Sequence, residues 1–342
     1  MRLPDKNKQW RLASYPEGMP TVANWTLGEG PMPEPGPDQI LLRAVYLDVA
    51  PYMRGRISPQ KNYAAGVAPG ELMIGGCIGE VVKSNAKELK PGDIVVTDQG
   101  FGWQQYGVVS PASVRRVDRE LAPLPYWLDA LGMNGMTAYF ALLDAGDMKA
   151  GDTVVVSAAA GSVGQIAGQI ARIGGARTVG ITSSAEKAAW CREIGYADVI
   201  EYRAENDLRA AVAKACPRGV DLYIDNTAGP ITDAVMQNLA THARVVIVGA
   251  VSLAAKFGQP DIGPRFQRQT LIARATIRGF LVSDYAVRHA EARARIGAWY
   301  RDGLLRSKFD VAEGIENMPQ AFLRLLESRN LGKQLVQVGN EP

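Results

Sequence analysis

The stretch Thr153-Val-Val-Val-Ser-Ala-Ala-Ala-Gly-Ser-Val-Gly-Gln-Ile-Ala-Gly-Gln-Ile-Ala171 has residue types and a spacing suited to holding an anion. Gly161 and Gly164 take the second and third glycine positions of a G-x-G-x-x-G turn, with Ala159 at the first. Small residues serve a purpose there. Gly161 lets the main chain approach a pyrophosphate, and Gly164 lets a helix pack closely on a strand. Ser162 and Val163 open that helix with unpaired N–H groups facing the anion. A glycine turn by itself is also a common structural bend. Here a β-branched run precedes it, and Val163, Ile166, Ala167 and Ile170 follow at helical spacing, so strand, turn and helix come in the order a dinucleotide site requires.

The next strand in such a unit chooses between cofactors. NAD-specific folds place Asp or Glu about 20 residues beyond the turn, where it accepts from the ribose 2′-hydroxyl. Here that strand ends in Gly180-Ile-Thr-Ser-Ser184 without an acid, and the first charges are Glu186 and Lys187. An ammonium at Lys187 suits a 2′-phosphate, and it equally suits a solvated helix position.

Around these residues the chain alternates from about residue 126 onward. Strands are expected at 153–157, 178–181, 199–202, 220–225 and 244–248, with helices at 163–173, 185–194, 208–215 and 232–239. A further helical stretch, 128–143, precedes them. The alternation predicts a doubly wound parallel sheet with its ligand at the carboxyl ends of the strands. The first 125 or so residues read differently, as strands near 40–46, 75–82, 93–97 and 102–109 joined by turns such as Lys90-Pro-Gly-Asp93, which favours a small barrel. Residues 252–271 show no period and two Gly/Pro pairs, which predicts a long functional loop. A strand near 276–282, a helix over 284–301, a helix opened by Pro319 and a last strand at 333–338 complete the chain.

At 342 residues two domains are the default. A net charge of +3 is too small to argue for nucleic acid. No apolar run reaches the roughly 18 residues of a membrane span, and Met1-Arg-Leu-Pro-Asp-Lys6 lacks a signal-peptide core. Cys77, Cys191 and Cys216 are few and unclustered, which points to a reducing, cytoplasmic setting.

End to end, the chain resembles the zinc-independent medium-chain dehydrogenase/reductase superfamily, in the branch of leukotriene/prostaglandin reductases and alkenal double-bond reductases. The resemblance is carried by Arg11-Leu-Ala-Ser14, Gly18-Met-Pro20, Pro51-Tyr-Met-Arg-Gly-Arg56, Gly79-Glu-Val-Val82, Gly135-Met-Thr-Ala-Tyr-Phe140, Ser157-Ala-Ala-Ala-Gly161 and Asp225-Asn226. It continues through Gly249-Ala-Val-Ser252, Arg278-Gly-Phe280 and Asn330-Leu-Gly-Lys333. It implies a Rossmann domain at 126–302 and a GroES-like β-barrel substrate domain at 1–125, to which 303–342 returns, with a cleft between the two. It also implies NADPH rather than NADH, with Lys187 and Tyr202 at the adenosine phosphate. By the same resemblance Thr137, Asn226, Val248, Gly249, Ala250, Ser252, Phe280, Leu281, Val282 and Asn330 join Gly161, Ser162, Val163 and Gly164 as cofactor contacts. Family members are commonly homodimers.

Zinc-dependent members hold a catalytic metal and a four-cysteine structural site. This chain has only His242 and His289, no Cys-x-x-Cys, and Ile74-Gly75-Gly76 where those enzymes resemble Gly-His-Glu. No metal is expected. The implied reaction is hydride addition to the β-carbon of an α,β-unsaturated ketone or aldehyde, which leaves charge on the carbonyl oxygen for an oriented donor to stabilise. Tyr52 is the candidate donor, and a packing tyrosine at a strand end is its other reading. The tyrosine that the family carries after Gly-Ala-Ile-Ser is Ala254 here, and Asp48-Val-Ala-Pro51 replaces the usual Ser-Val-Asp-Pro. Two competing readings share these features: an NADPH quinone reductase, and an NADPH-binding structural or sensor protein without turnover.

Overall fold

The computed structural model describes residues 3–342. Seven strands come first: β1 (Lys6–Leu12), β2 (Trp25–Pro31), β3 (Ile40–Asp48), β4 (Cys77–Ser84), β5 (Ile94–Thr97), β6 (Tyr106–Val109) and β7 (Arg115–Arg116). A single-turn helix, α1 (Met53–Arg56), follows β3. The alternating part has α2 (Met133–Phe140), β8 (Thr153–Ser157), α3 (Ser162–Ile173), β9 (Arg177–Thr182), α4 (Ala185–Glu193), β10 (Asp198–Glu201), α5 (Leu208–Ala215), β11 (Val220–Asp225), α6 (Gly229–Met236) and β12 (Leu239–Ile247). Then come α7 (Gln267–Ala273), β13 (Thr276–Gly279), α8 (His289–Arg301), β14 (Phe309–Glu313), α9 (Met318–Leu326) and β15 (Lys333–Gln337). The chain divides into two compact units, 1–128 with 309–330 and 334–342, and 129–308 with 331–333.

In the first unit the strands form an antiparallel sheet in the order β14-β15-β3-β4-β5-β7, with β6 also on β3 and with β1 and β2 as a separate hairpin-like pair. Eight of the nine residues of β3 are buried, as suits the strand with most neighbours. In the same unit Trp25, Trp103 and Phe322 meet at 5.6–6.0 Å between ring centres and are buried together.

In the second unit six parallel strands run in the order β10-β9-β8-β11-β12-β13. From β8 the chain winds outward one way to β10, then returns to β11 and winds the other way, so the order reverses between β8 and β11. Val154, Val155 and Val156 are fully buried because helices cover both faces, and each contributes about 1.5–3 kcal/mol of apolar burial. The α/β architecture of this unit is therefore the doubly wound sheet that the alternation implies, and the other unit is antiparallel β.

Several expectations shift. The helix expected over 128–143 starts at Met133, after Gly132 as its N-cap. The stretch 252–271 is less irregular than its sequence suggests, since it holds a 3-10 segment, Val251–Lys256, and the start of α7. The strand expected to reach 282 ends at Gly279. Helix 284–301 is two pieces, a 3-10 segment Val282–Arg288 and then α8. His242 sits inside β12 at φ 63° and is exposed.

Candidate functional site

The parallel sheet brings most of the cofactor candidates to the segments that leave the carboxyl ends of its strands. Gly161 to Gly164 follow β8. Gly164 is required by packing: a Cβ there would stand 2.3 Å from the Ala158 carbonyl oxygen and 2.7 Å from Ala159 Cα. Gly161 is not, because its added Cβ would meet only the Ala158 oxygen, at 3.2 Å. Apart from that oxygen, the space a Cβ would take at Gly161 is clear to 4 Å. Gly161 is also the N-cap of α3 and supplies no side chain to cap it, so no side chain at that position meets the first N–H groups of the helix.

At the tip of β9, Ser184 caps α4 by accepting from the Lys187 N–H at 3.4 Å. That fixes Lys187 in the first turn of α4, half-buried. Tyr202 leaves β10 beside it, its N–H donating to the Thr182 carbonyl at 3.0 Å. The Arg203 guanidinium lies 5.7 Å from the Tyr202 ring centre. A cation, a ring and two serines thus share one strand tip that holds no carboxylate at the position a ribose hydroxyl would need. This donor set fits a 2′-phosphate.

At the switch point, Asn226 Nδ2 donates to the Ser157 carbonyl at 2.8 Å and the Asn226 N–H to Ser157 Oγ at 2.9 Å, tying the ends of β8 and β11. Buried Asp225 holds the next turn, accepting from the N–H groups of Thr227 and Ala228, both at 2.9 Å, and from Thr232 Oγ1 at 2.6 Å. The turn containing Val248, Gly249, Ala250 and Ser252 folds onto this corner. Val248 and Gly249 donate to the Asp225 carbonyl at 2.8 and 3.0 Å, and Ser252 Oγ donates to the Thr227 carbonyl at 2.6 Å. Phe280 continues from β13, its N–H on the Ile247 carbonyl at 3.0 Å. Leu281 is exposed, and the Val282 carbonyl pairs with His289 Nε2 at 3.1 Å. His289 is thus engaged with the main chain and stacked near Phe140. Behind Phe280 stands a ladder of rings, Tyr285 at 5.4 Å and Phe140 a further 4.7 Å on. Thr137 lies half-buried on α2, which packs against α3. Asn330 is buried just before the 331–333 segment.

Tyr52 belongs to the first unit, where it precedes α1. Its hydroxyl is buried and meets no hydrogen-bonding partner among the described residues. Burial pushes the phenol well above its ordinary value, Asp48 pushes it further, and the Arg56 guanidinium pulls the other way. Arg56 lies 5.9 Å from the Tyr52 ring centre and 5.4 Å from that of Tyr63, and its Nη1 donates to the Ala65 carbonyl at 2.6 Å. Trp103 and Tyr106 are core, whereas Tyr63 is 58% exposed. Ala254 is buried. Arg265, Arg268, Arg274 and Arg278 are exposed. Among the described residues, no group of three or more His, Cys, Asp or Glu side chains could hold a metal ion, and no helix is long and apolar enough to cross a membrane.

Two acids escaped the sequence reading. Asp225 was visible only as part of a resemblance. Asp129 sits in Leu124-Pro-Tyr-Trp-Leu-Asp-Ala-Leu131, and an acid inside so apolar a run was the available signal. It is 0% exposed, and burial pushes its carboxyl up to about 6 against the pull of Ser162, Ser307, Lys333 and Gln165.

Known proteins fit this description. Residues 8–117 match the family described as the N-terminal domain of oxidoreductase, and residues 162–295 match zinc-binding dehydrogenase. The chain is similar to the NADPH-dependent curcumin reductase of Escherichia coli (strain K12), at 38% identity over 341 residues and 98% of each chain. It is similar to prostaglandin reductase 1 of Rattus norvegicus, at 34% identity over 335 residues, covering 96% of this chain and 98% of that one. The crystal structure of CurA in complex with NADPH from Vibrio vulnificus superposes with a TM-score of 0.91 at 37% identity, over 98% of this chain and 100% of that one.

Proposed function

The chain belongs to the medium-chain dehydrogenase/reductases, in the branch of the curcumin and prostaglandin reductases, and from that membership we propose that it is an NADPH-dependent reductase of the activated C=C bond in α,β-unsaturated ketones and aldehydes, working without zinc. The observation that carries the reading is the acid-free strand tip with Lys187 and Tyr202 beside an uncapped α3, in a chain alike throughout to an NADPH-bound structure.

Bound NADPH supplies the hydride that the β-carbon accepts. The residues of this chain do the rest. Gly161 gives the pyrophosphate room, and the first N–H groups of α3 face its charge. Lys187 meets the 2′-phosphate, with Tyr202 against the adenosine. Thr137, Asn226, the 248–252 turn, Phe280, Leu281, Val282 and Asn330 shape the remainder of the cofactor site. Tyr52 donates its phenolic proton in a hydrogen bond to the carbonyl oxygen as charge gathers there. Its raised pKa keeps it a neutral donor at working pH. With Ala254 offering no proton, water protonates the α-carbon.

We assign the nucleotide work to the unit of 129–308 with 331–333 and the substrate work to the unit of 1–128 with 309–330 and 334–342, so the bounds expected at 125/126 and 302/303 move to 128/129 and 308/309. We assign the protein to the cytoplasm on its three buried, unpaired cysteines. We also assign it a homodimeric state. β13 ends the parallel sheet, all four of its residues, Ile277 among them, are exposed, and Leu271 and Ile272 lie exposed on the preceding α7, an edge suited to pairing with a second copy. Sedimentation of the full chain tests this, and a monomer would refute it.

The deciding experiment for the activity is anaerobic NADPH oxidation with an enone, an enal and a quinone, with products identified. A saturated ketone or aldehyde is expected. An allylic alcohol, or turnover with the quinone alone, would overturn the assignment, and NADPH binding without oxidation of any acceptor would favour a sensor.

A further inference from the structure

Two buried residues of opposite charge, Asp129 and Lys333, are left unused by the proposed reaction. Asp129 is wholly buried and Lys333 is 2% exposed. A lone carboxylate there would be strongly disfavoured, and its surroundings answer it. Ser162 Oγ donates to Asp129 Oδ1, Gln165 Nε2 approaches Oδ2 at 3.2 Å, and the Lys333 ammonium adds an opposing charge. Gln165 is committed in turn, its Oε1 accepting from Trp190 Nε1 at 3.1 Å and from the Lys308 N–H at 3.0 Å. The main chain beside Lys333 grips the same turn. Gly332 donates to the Ala160 carbonyl and Lys333 to the Lys308 carbonyl, both at 2.9 Å. No other residue type fits at Gly332, which has φ 75° and whose Cβ would fall 2.0 Å from the Lys308 oxygen.

Ser162 is the first residue of α3. Having given its proton to Asp129, its hydroxyl cannot donate to a phosphate, so the phosphate is left to main-chain N–H groups whose direction the Ser162 anchor sets. A carboxylate so close to the turn would also repel a pyrophosphate unless a cation offset it. We propose that Asp129 and Lys333 are positioning residues for the cofactor pyrophosphate: the carboxylate anchors Ser162, and the ammonium, on the strap bonded to Ala160, cancels the repulsion the anchor would otherwise exert. The inference rests on the NADPH reading above.

The test is calorimetric titration of the full chain with NADP⁺ and with 2′-AMP, which has the adenosine 2′-phosphate and lacks the pyrophosphate. Lys333→Met should weaken NADP⁺ about ten-fold or more, the scale of one charge-assisted contact. Binding of 2′-AMP should stay within about two-fold, as for a distant site. The double variant Asp129→Asn/Lys333→Met, which removes both charges, should regain most of the lost NADP⁺ affinity. Ser162→Ala keeps both charges and should weaken NADP⁺ alone, which decides the matter if Lys333→Met is unstable. Equal weakening of both ligands, no recovery in the double variant, or unchanged NADP⁺ binding in Ser162→Ala would each overturn the inference. An unaltered chain that binds neither ligand would overturn the NADPH reading itself.

Discussion

Replacing Gly161 and Gly164 with alanine, one at a time, separates two duties of the same turn. At Gly164 the new methyl would lie 2.3 Å from the Ala158 oxygen and 2.7 Å from Ala159 Cα, both main-chain atoms that no rotamer can move. Ordinary contact begins near 3.4 Å, so strand end and helix must part by about 1 Å, and overpacking of this kind costs about 2–3 kcal/mol. In a unit of this size each kcal/mol lowers the melting temperature by roughly 2–4 °C, so Gly164→Ala should melt about 4–12 °C lower. At Gly161 the methyl meets one oxygen at 3.2 Å, and the backbone, at φ −80° and ψ 177°, accepts any residue. Its cost is that of an alanine N-cap, under about 1 kcal/mol. Its effect falls on the ligand side, where the methyl fills the approach to the pyrophosphate and should raise the NADPH dissociation constant about ten-fold, or 1.4 kcal/mol. Differential scanning fluorimetry and NADPH fluorescence titration read the two quantities separately. A Gly161→Ala variant that binds NADPH like the parent would refute the assignment of that space to a ligand. A Gly164→Ala variant of parental stability would refute the packing argument.

Lys187→Ala should raise the Michaelis constant for NADPH about ten-fold while that for NADH moves less than about two-fold, and equal shifts would remove the 2′-phosphate contact. Tyr52→Phe should lower turnover on enones about a hundred-fold with NADPH affinity intact, and unchanged turnover would remove Tyr52 from the mechanism. Turnover should also show no alkaline loss from this phenol at its ordinary 10.0, because a raised pKa keeps the proton, and the donor, to higher pH. A limb near 10 that disappears in Tyr52→Phe would contradict the buried setting.

The nucleotide half was legible because its elements obey one rule each. Val154, Val155 and Val156 form an unbroken buried run, and the bounds read for β8, β11 and α5 coincide with those observed. Elsewhere no single period spoke. β1, Lys-Asn-Lys-Gln-Trp-Arg-Leu, shows only Trp10 and Leu12 as apolar residues, and its third buried position is the polar Asn7, whose side chain is held by Tyr106, so no apolar alternation marks it as a strand. α7 is seven residues long and carries Leu271 and Ile272 on its outside, against the usual amphipathic order. The site was legible where a backbone rule applied, at the glycines and the acid-free strand tip. It was hidden where three-dimensional neighbours decide. Nothing local announces that Asp129 reaches Ser162, 33 residues further on.

The bond from Gly332 to Ala160 has a consequence for how the protein comes into being. The strand, turn and helix around Gly161 are contiguous and free to form early, yet the residue that secures Ala160 emerges on the order of 170 positions later, a separation of the kind that slows closure. A nascent chain halted before Leu331 would carry the recognisable turn without its fastening. The ability to retain a nucleotide should therefore mature late in synthesis, well after the sheet that displays the turn has taken shape.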